Sequence, residues 1–323
     1  MQCAYCLEKK KLTGEHLFPT SLIDLFPECD INVVEEKVFK SEKIVINDVC
    51  ENCNNNLLSK LDSYGAELVK ENFVTEYKPT SVLPFSYSYS HISRWLIKIL
   101  FNNARSLKLN TEWYESNLDY ILGHESTSNY SFSIFAGLWV NTSPMPDFYF
   151  DNMKLNIIFN PDLMSKSIIG MDIENNEIKV NRDIEKMNFK NLMQSSLLRF
   201  GSGMFLVFLW DKDTQKEIIE EFEEIMASRY PYTLLEKNVE KIPLRRVTHA
   251  FNCHHNHLID DVPGIFFADQ ANGFLPPDRD PIEIQREQSV VWNQHVGGIR
   301  ENRASKRRRE REKRQKRKEK RNR

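Results

Sequence analysis

Cys3-Ala4-Tyr5-Cys6, Gly14-Glu15-His16-Leu17-Phe18-Pro19 and Cys50-Glu51-Asn52-Cys53-Asn54 decide how the front of this chain folds. Each Cys-x-x-Cys pair can wrap two thiolates around one tetrahedral ion, and two such pairs close its coordination sphere. The spacing predicts a structural zinc held by Cys3, Cys6, Cys50 and Cys53, with no position left open for chemistry. The gap between the pairs is 43 residues, more than the ~15–20 of a simple zinc ribbon. The surplus is room for a functional hairpin between the two halves of the clamp.

Within that hairpin the polar residues have the chemistry of phosphodiester cleavage. Such a reaction needs a base for the attacking water, a cation for the developing charge, and ligands for that cation. A neutral histidine is the natural base near pH 7, which selects His16. Mg²⁺ and Mn²⁺ prefer oxygen donors, which selects the Glu15 carboxylate and the Asn54 carbonyl. In extended chain Glu15 and His16 point to opposite faces, so one can serve the ion and the other the water. Asn54 stands where a helix should start, as a cap, a ligand or both.

Taken in order, Cys-x-x-Cys, Gly-Glu-His-Leu-Phe-Pro-x-Ser-Leu and Val-Cys-x-x-Cys-Asn-Asn-x-Leu-x-x-x-Leu-Asp resemble the zinc-containing HNH endonucleases of the ββα-metal (His-Me finger) class. The resemblance covers about the first 60 residues. It implies a β-hairpin and a helix clasped around one divalent ion, and metal-dependent hydrolysis of DNA. By position it implies His16 as general base, Glu15 as the acidic metal ligand, and Asn54 as the ligand on the helix, with Asn55 as a fallback. Asn47 is the best match to the middle residue that orients the base, with Asp48 nearby. Glu15 stands where Asp is more frequent, and the stretch from His16 to Asn47 is long, which implies an inserted loop.

The expected fold class is α+β. It comprises an N-terminal zinc-clasped ββα-metal module (residues 1–74), a mixed α+β C-terminal domain (75–302) that binds a protein partner or senses a signal, and a flexible basic tail (303–323). In the module, residues 15–22 read as extended chain broken by Pro19, residues 43–47 as a strand, and Leu57, Leu61, Tyr64 and Leu68 as one apolar helix face. Residues 75–90 read as a linker and 91–107 as a buried helix. Strands are expected over 130–140, 148–160, 168–180 and 204–210, and an amphipathic helix over 213–228. Residues 242–300 read as loops.

The net charge of −2 hides an asymmetry: residues 303–323 carry 14 Lys/Arg against 3 Asp/Glu, and the rest carries 30 against 43. The tail, with Lys306, Arg307, Arg308, Arg309, Arg311, Lys313 and Arg314, suits phosphate contact without sequence reading. No apolar run reaches the ~18 residues of a membrane helix, and there is no basic-then-apolar leader, so a cytoplasmic protein is expected. Cys29 and Cys253 have no evident partner. Cys253-His254-His255-Asn256-His257, with His249 and the acidic Asp260-Asp261 nearby, is read as a polar loop rather than a metal cluster. Function is expected to be DNA endonucleolysis with catalytic Mg²⁺ or Mn²⁺, as in an effector of bacterial defence against phage. Two alternatives stay open: a non-catalytic zinc-dependent nucleic-acid-binding protein, and a nuclease subunit silent until a partner docks.

Overall fold

The run Met204-Phe-Leu-Val-Phe-Leu-Trp210 is apolar at every position, and a short run of that kind belongs in a sheet covered on both faces. In the computed structural model it is the central strand β12 (Gly203–Trp210), buried along its whole length. The structure describes residues 1–27, 31–34, 37–40, 44–78, 81–140, 154–159, 162–164, 169–172, 177–180, 191–229, 232–247 and 257–259. The tail, residues 249–256 and 260–261, and Cys29 lie outside them. Tail contacts and the reading of His249 and Cys253-His254-His255-Asn256 fall there too, while His257 lies in a described strand.

The chain is mixed α+β. It begins with β1 (Leu12–His16), the one-turn helix α1 (Thr20–Ile23), β2 (Ile31–Val34), β3 (Lys37–Lys40) and β4 (Val45–Cys50). β1 and β4 pair antiparallel, and β2 and β3 form a hairpin of their own in the long insertion between them. A wide helical segment, Cys53–Leu58, leads into α2 (Ser59–Asn72). Then follow β5 (Leu83–Ser86), the long helix α3 (Tyr89–Leu107), and the short helices α4 (Glu112–Glu115) and α5 (Leu118–Leu122).

A five-stranded antiparallel sheet comes next, in the order β13-β6-β12-β11-β7. Its strands are β6 (Phe132–Leu138), β7 (Leu155–Phe159), β11 (Leu192–Phe200), β12 and β13 (Thr233–Leu234). The remaining strands are β8 (Asp162–Met164), β9 (Ile169–Asp172), β10 (Glu177–Val180), β14 (Lys241–Leu244) and β15 (His257–Ile259). β14 pairs with β5, β9 with β10, and β15 runs parallel to β8.

Side chains alternate across a strand, so β12 feeds two cores. Phe205, Val207 and Leu209 join α3 on one face, while Leu206, Phe208 and Trp210 meet Phe222 and Met226 of the helix Lys216–Arg229 on the other. The first core continues from Ile92, Trp95, Leu96 and Ile99 of α3 into Cys3, Tyr5, Val49, Cys53 and Leu61 at the front of the chain. Gly65 allows the two helices to approach this closely, because a Cβ there would lie 2.0 Å from the Trp95 ring.

Several local expectations change. The extended chain after Glu15 stops at His16, because Pro19 precedes and opens α1. The strand expected at 43–47 lies at Val45–Cys50, running straight into the cysteine. The expected linker contains β5, held in register by β14 through Leu83↔Leu244 and Ser86↔Lys241. The loop reading of 242–300 likewise misses most of β14 and β15. Strand β11 escaped notice because Gln194-Ser195-Ser196 interrupts its apolar run.

Candidate functional site

The first Cys pair lies in a tight knuckle, closed by Leu7 N–H to the Cys3 carbonyl (3.0 Å) and Cys3 N–H to the Glu8 carbonyl (2.9 Å). The second pair marks the end of β4 and the helix that follows it. A bond from Ala4 N–H to the Asp48 carbonyl (2.9 Å) ties the knuckle to β4. The four sulfurs lie within 4.8 Å of one another. Cys6 and Cys50 Sγ are 3.7 Å apart, close to the edge of a tetrahedron built on ~2.3 Å Zn–S bonds, about 3.8 Å. Cys3, Cys50 and Cys53 are buried. The set therefore fits a closed tetrahedral ion such as zinc. Burial opposes the Cys3 thiolate, but backbone N–H groups of Cys50, Cys6 and Tyr5 pull its pKa down to about 7. Burial and the neighbouring thiols push Cys53 up instead. Crowded thiols of this kind are resolved by a cation in their midst.

Beside this clamp lies a cleft of about 250 Å³, lined by Glu15, His16, Pro19, Asn54, Asn55 and Asp62 among others. Glu15 and His16 arrive on β1, opposite Ile46 and Val45 of β4. A register shift between Thr13 and Glu15 sets their direction. Gly14 sits in that shift with no room for a side chain: a Cβ would meet Val45 Cγ1 at 2.6 Å and Asn47 Oδ1 at 3.0 Å.

Asn54 is not the cap that its position suggested. The backbone is already helical at Asn52, and Ser59 N–H reaches back five residues to the Asn54 carbonyl, opening a wide turn. Wide turns of this type recur at functional sites. The Asn54 amide nitrogen donates to the Gly14 carbonyl (2.9 Å) and Thr13 Oγ1 (3.1 Å). Because a carbonyl accepts only from a donor, the Gly14 contact fixes which end of the amide faces that carbonyl. Asn47 is exposed on β4 against Gly14 and is not among the residues that line the cleft.

Glu15 is buried, and its partners come from α3. Lys98 Nζ lies 2.5 Å from Glu15 Oε1, and 2.8 Å from each Asp62 oxygen. Asn102 Nδ2 donates to the same Glu15 Oε1 (3.2 Å) and to the His16 carbonyl (3.1 Å). Asn102 Oδ1 accepts from Tyr5 Oη–H (2.7 Å), which joins the Cys knuckle to the cleft. Arg105 bonds Asp48 and Asn102 and lies over the Tyr5 and Phe101 rings. Burial opposes charge on Lys98, but Asp62 and Glu15 outweigh it and hold the ammonium above the ordinary lysine range.

Sequence reasoning placed Glu15, His16 and Asn54 in one site, and they line one cleft. It gave no role to Asp62, the last residue of the motif that carries the resemblance, and did not include Lys98, Asn102 and Arg105. The signal was present: Lys98, Asn102 and Arg105 fall at i, i+4 and i+7, a polar stripe beside the apolar Trp95, Leu96, Ile97, Ile99, Leu100 and Phe101. As oxygen donors for a hard cation the cleft offers the Glu15 carboxylate and the Asn54 carbonyl, a set that fits Mg²⁺ or Mn²⁺.

A larger cleft, about 850 Å³, is lined by Tyr64, Tyr87, Tyr89 and Tyr120. Three of their hydroxyls are bonded to Ser88, Glu236 and Ser93 of the protein itself. Among the described residues no helix is long and apolar enough to cross a membrane. No protein-family model, curated protein or solved structure matches this chain.

Proposed function

We propose that this protein is a metal-dependent endonuclease of the HNH, ββα-metal type, hydrolysing phosphodiester bonds in DNA. The observation that carries the reading is the convergence of Glu15, His16 and Asn54 on one cleft, on a strand pair and helix joined by the four-cysteine cluster. In this reading zinc occupies the four thiolates and holds β4, the knuckle and the helix start together. It takes no part in the reaction, since its coordination is closed.

His16 accepts the proton of the attacking water, as a neutral imidazole near pH 7 does. Glu15 and Asn54 would hold a Mg²⁺ or Mn²⁺ ion, which stabilises charge on the phosphate and the leaving oxygen. Asn54 is anchored to β1 through its amide nitrogen, so its oxygen keeps a fixed place while the strand carries Glu15 and His16. The basic tail adds sequence-independent affinity for the DNA backbone.

The test is nicking or linearisation of supercoiled plasmid as Mg²⁺ is titrated. Glu15→Gln and Asn54→Ala are expected to need higher metal concentrations for the same rate, with partial rescue by excess Mn²⁺. Wild-type protein that binds DNA but never cuts it, with any divalent ion, overturns the reading of a self-sufficient enzyme in favour of the two alternatives, a binding protein or a subunit that needs its partner.

A further inference from the structure

Helix α3 is buried over most of its length, and it carries a lysine with no exposed surface into the middle of the molecule. A buried ammonium is disfavoured unless it is paired and fully hydrogen bonded, and an apolar residue of similar size usually serves stability as well or better. Its place therefore calls for a role other than packing. Lys98 Nζ has three close acceptors: Glu15 Oε1 at 2.5 Å, and both Asp62 oxygens at 2.8 Å. One turn further on, Asn102 is also fully buried and donates to Glu15 Oε1 and the His16 carbonyl. Its own oxygen is held by Tyr5.

The two donors from α3 thus address the same atom of Glu15. Oε1 is saturated, and Oε2 has no protein donor among the described residues. Asp62 grips the Lys98 head with both its oxygens and keeps it from swinging away.

We propose that Lys98 and Asn102 are positioning residues of the cleft: they occupy Glu15 Oε1 and so aim Oε2, the free oxygen, at a divalent cation. This rests on the nuclease reading and deepens it. The centre then extends beyond the strand pair and α2, and α3 is part of it.

The experiment is direct Mn²⁺ binding to the zinc-loaded full chain, read by the loss of free-Mn²⁺ electron paramagnetic resonance signal. Loss of a residue that orients a metal ligand typically weakens binding ~10–100-fold. Lys98→Met and Asn102→Leu are each expected to do so, with zinc content unchanged. Lys98→Met leaves two carboxylates without their cation and is prone to misfold. Lys98→Met/Asp62→Asn removes the surplus charge, and Asn102→Leu is neutral and similar in volume. A purely structural role for α3 would lower the unfolding midpoint and leave the Mn²⁺ affinity of the folded protein alone. Folded Asn102→Leu protein with wild-type Mn²⁺ affinity therefore overturns the proposal. Glu15→Gln separates the two readings. If it binds Mn²⁺ as wild type does, the ion is not at Glu15 and the nuclease site itself is misassigned. If it loses Mn²⁺ while the Asn102 and Lys98 variants keep it, the site stands and only the positioning role falls.

Discussion

Leu7 follows the first Cys pair with φ at +59°, in the left-handed region that a branched side chain rarely adopts. The residue is more than half exposed, so packing gives little in return. The left-handed conformation costs an ordinary L-residue about 1–2 kcal/mol, and Asn tolerates it better. Leu7→Asn is therefore expected to stabilise the protein by about 1 kcal/mol or less, read as a higher denaturant midpoint at saturating zinc. A lower midpoint would mean that the knuckle needs Leu7 for something other than its backbone. At this scale the cysteines were legible because a thiolate pair has a fixed reach around one ion. Glu15 and His16 were legible because their chemistry is local to two adjacent residues. Lys98 and Asn102 were not, since their partners lie far off in sequence and only the folded chain brings α3 against β1.

Among the elements, periodicity revealed what was apolar and continuous. The helix after Cys53, α3 and β12 all appear close to where their apolar patterns put them. It failed where apolar and polar residues mix, as in β11, and where a short strand borrows its partner from far away, as β5 does from β14. The meeting of α2 and α3 depends on one residue. A Cβ at Gly65 would fall inside contact distance of three Trp95 ring atoms. Gly65→Ala has the better intrinsic helix propensity, yet it must push Trp95 aside. Overpacking of this sort costs about 1–3 kcal/mol. The variant is expected to unfold at lower temperature and to lose Mn²⁺ affinity as α3 shifts away from Glu15. An unchanged or raised midpoint would mean that Trp95 moves without resistance.

At the scale of the whole molecule, the sulfur cluster is continuous with the large core. Tyr5 packs edge-on against Phe101 of α3, and Phe18 meets Phe200 of β11. Loss of the ion should therefore be felt well beyond the knuckle. Cys50→Ser is expected to lower the thermal midpoint in one transition, seen alike by far-ultraviolet dichroism and by tryptophan fluorescence. Two separate transitions would mean that the front of the chain unfolds on its own. The class of fold was legible from composition and strand patterning. The joining of front and back was not, because it depends on side chains of α3 facing two ways.

The central claim is that the cleft cuts DNA with His16 as base. The most direct measurement is the single-turnover rate of plasmid cleavage at saturating Mg²⁺, for wild-type and His16→Ala proteins with equal zinc content and equal unfolding midpoints. Losing a general base typically costs ~10²–10⁴-fold in rate, so the variant is expected to bind DNA normally and cut it that much more slowly. Equal rates for the two proteins would contradict the account.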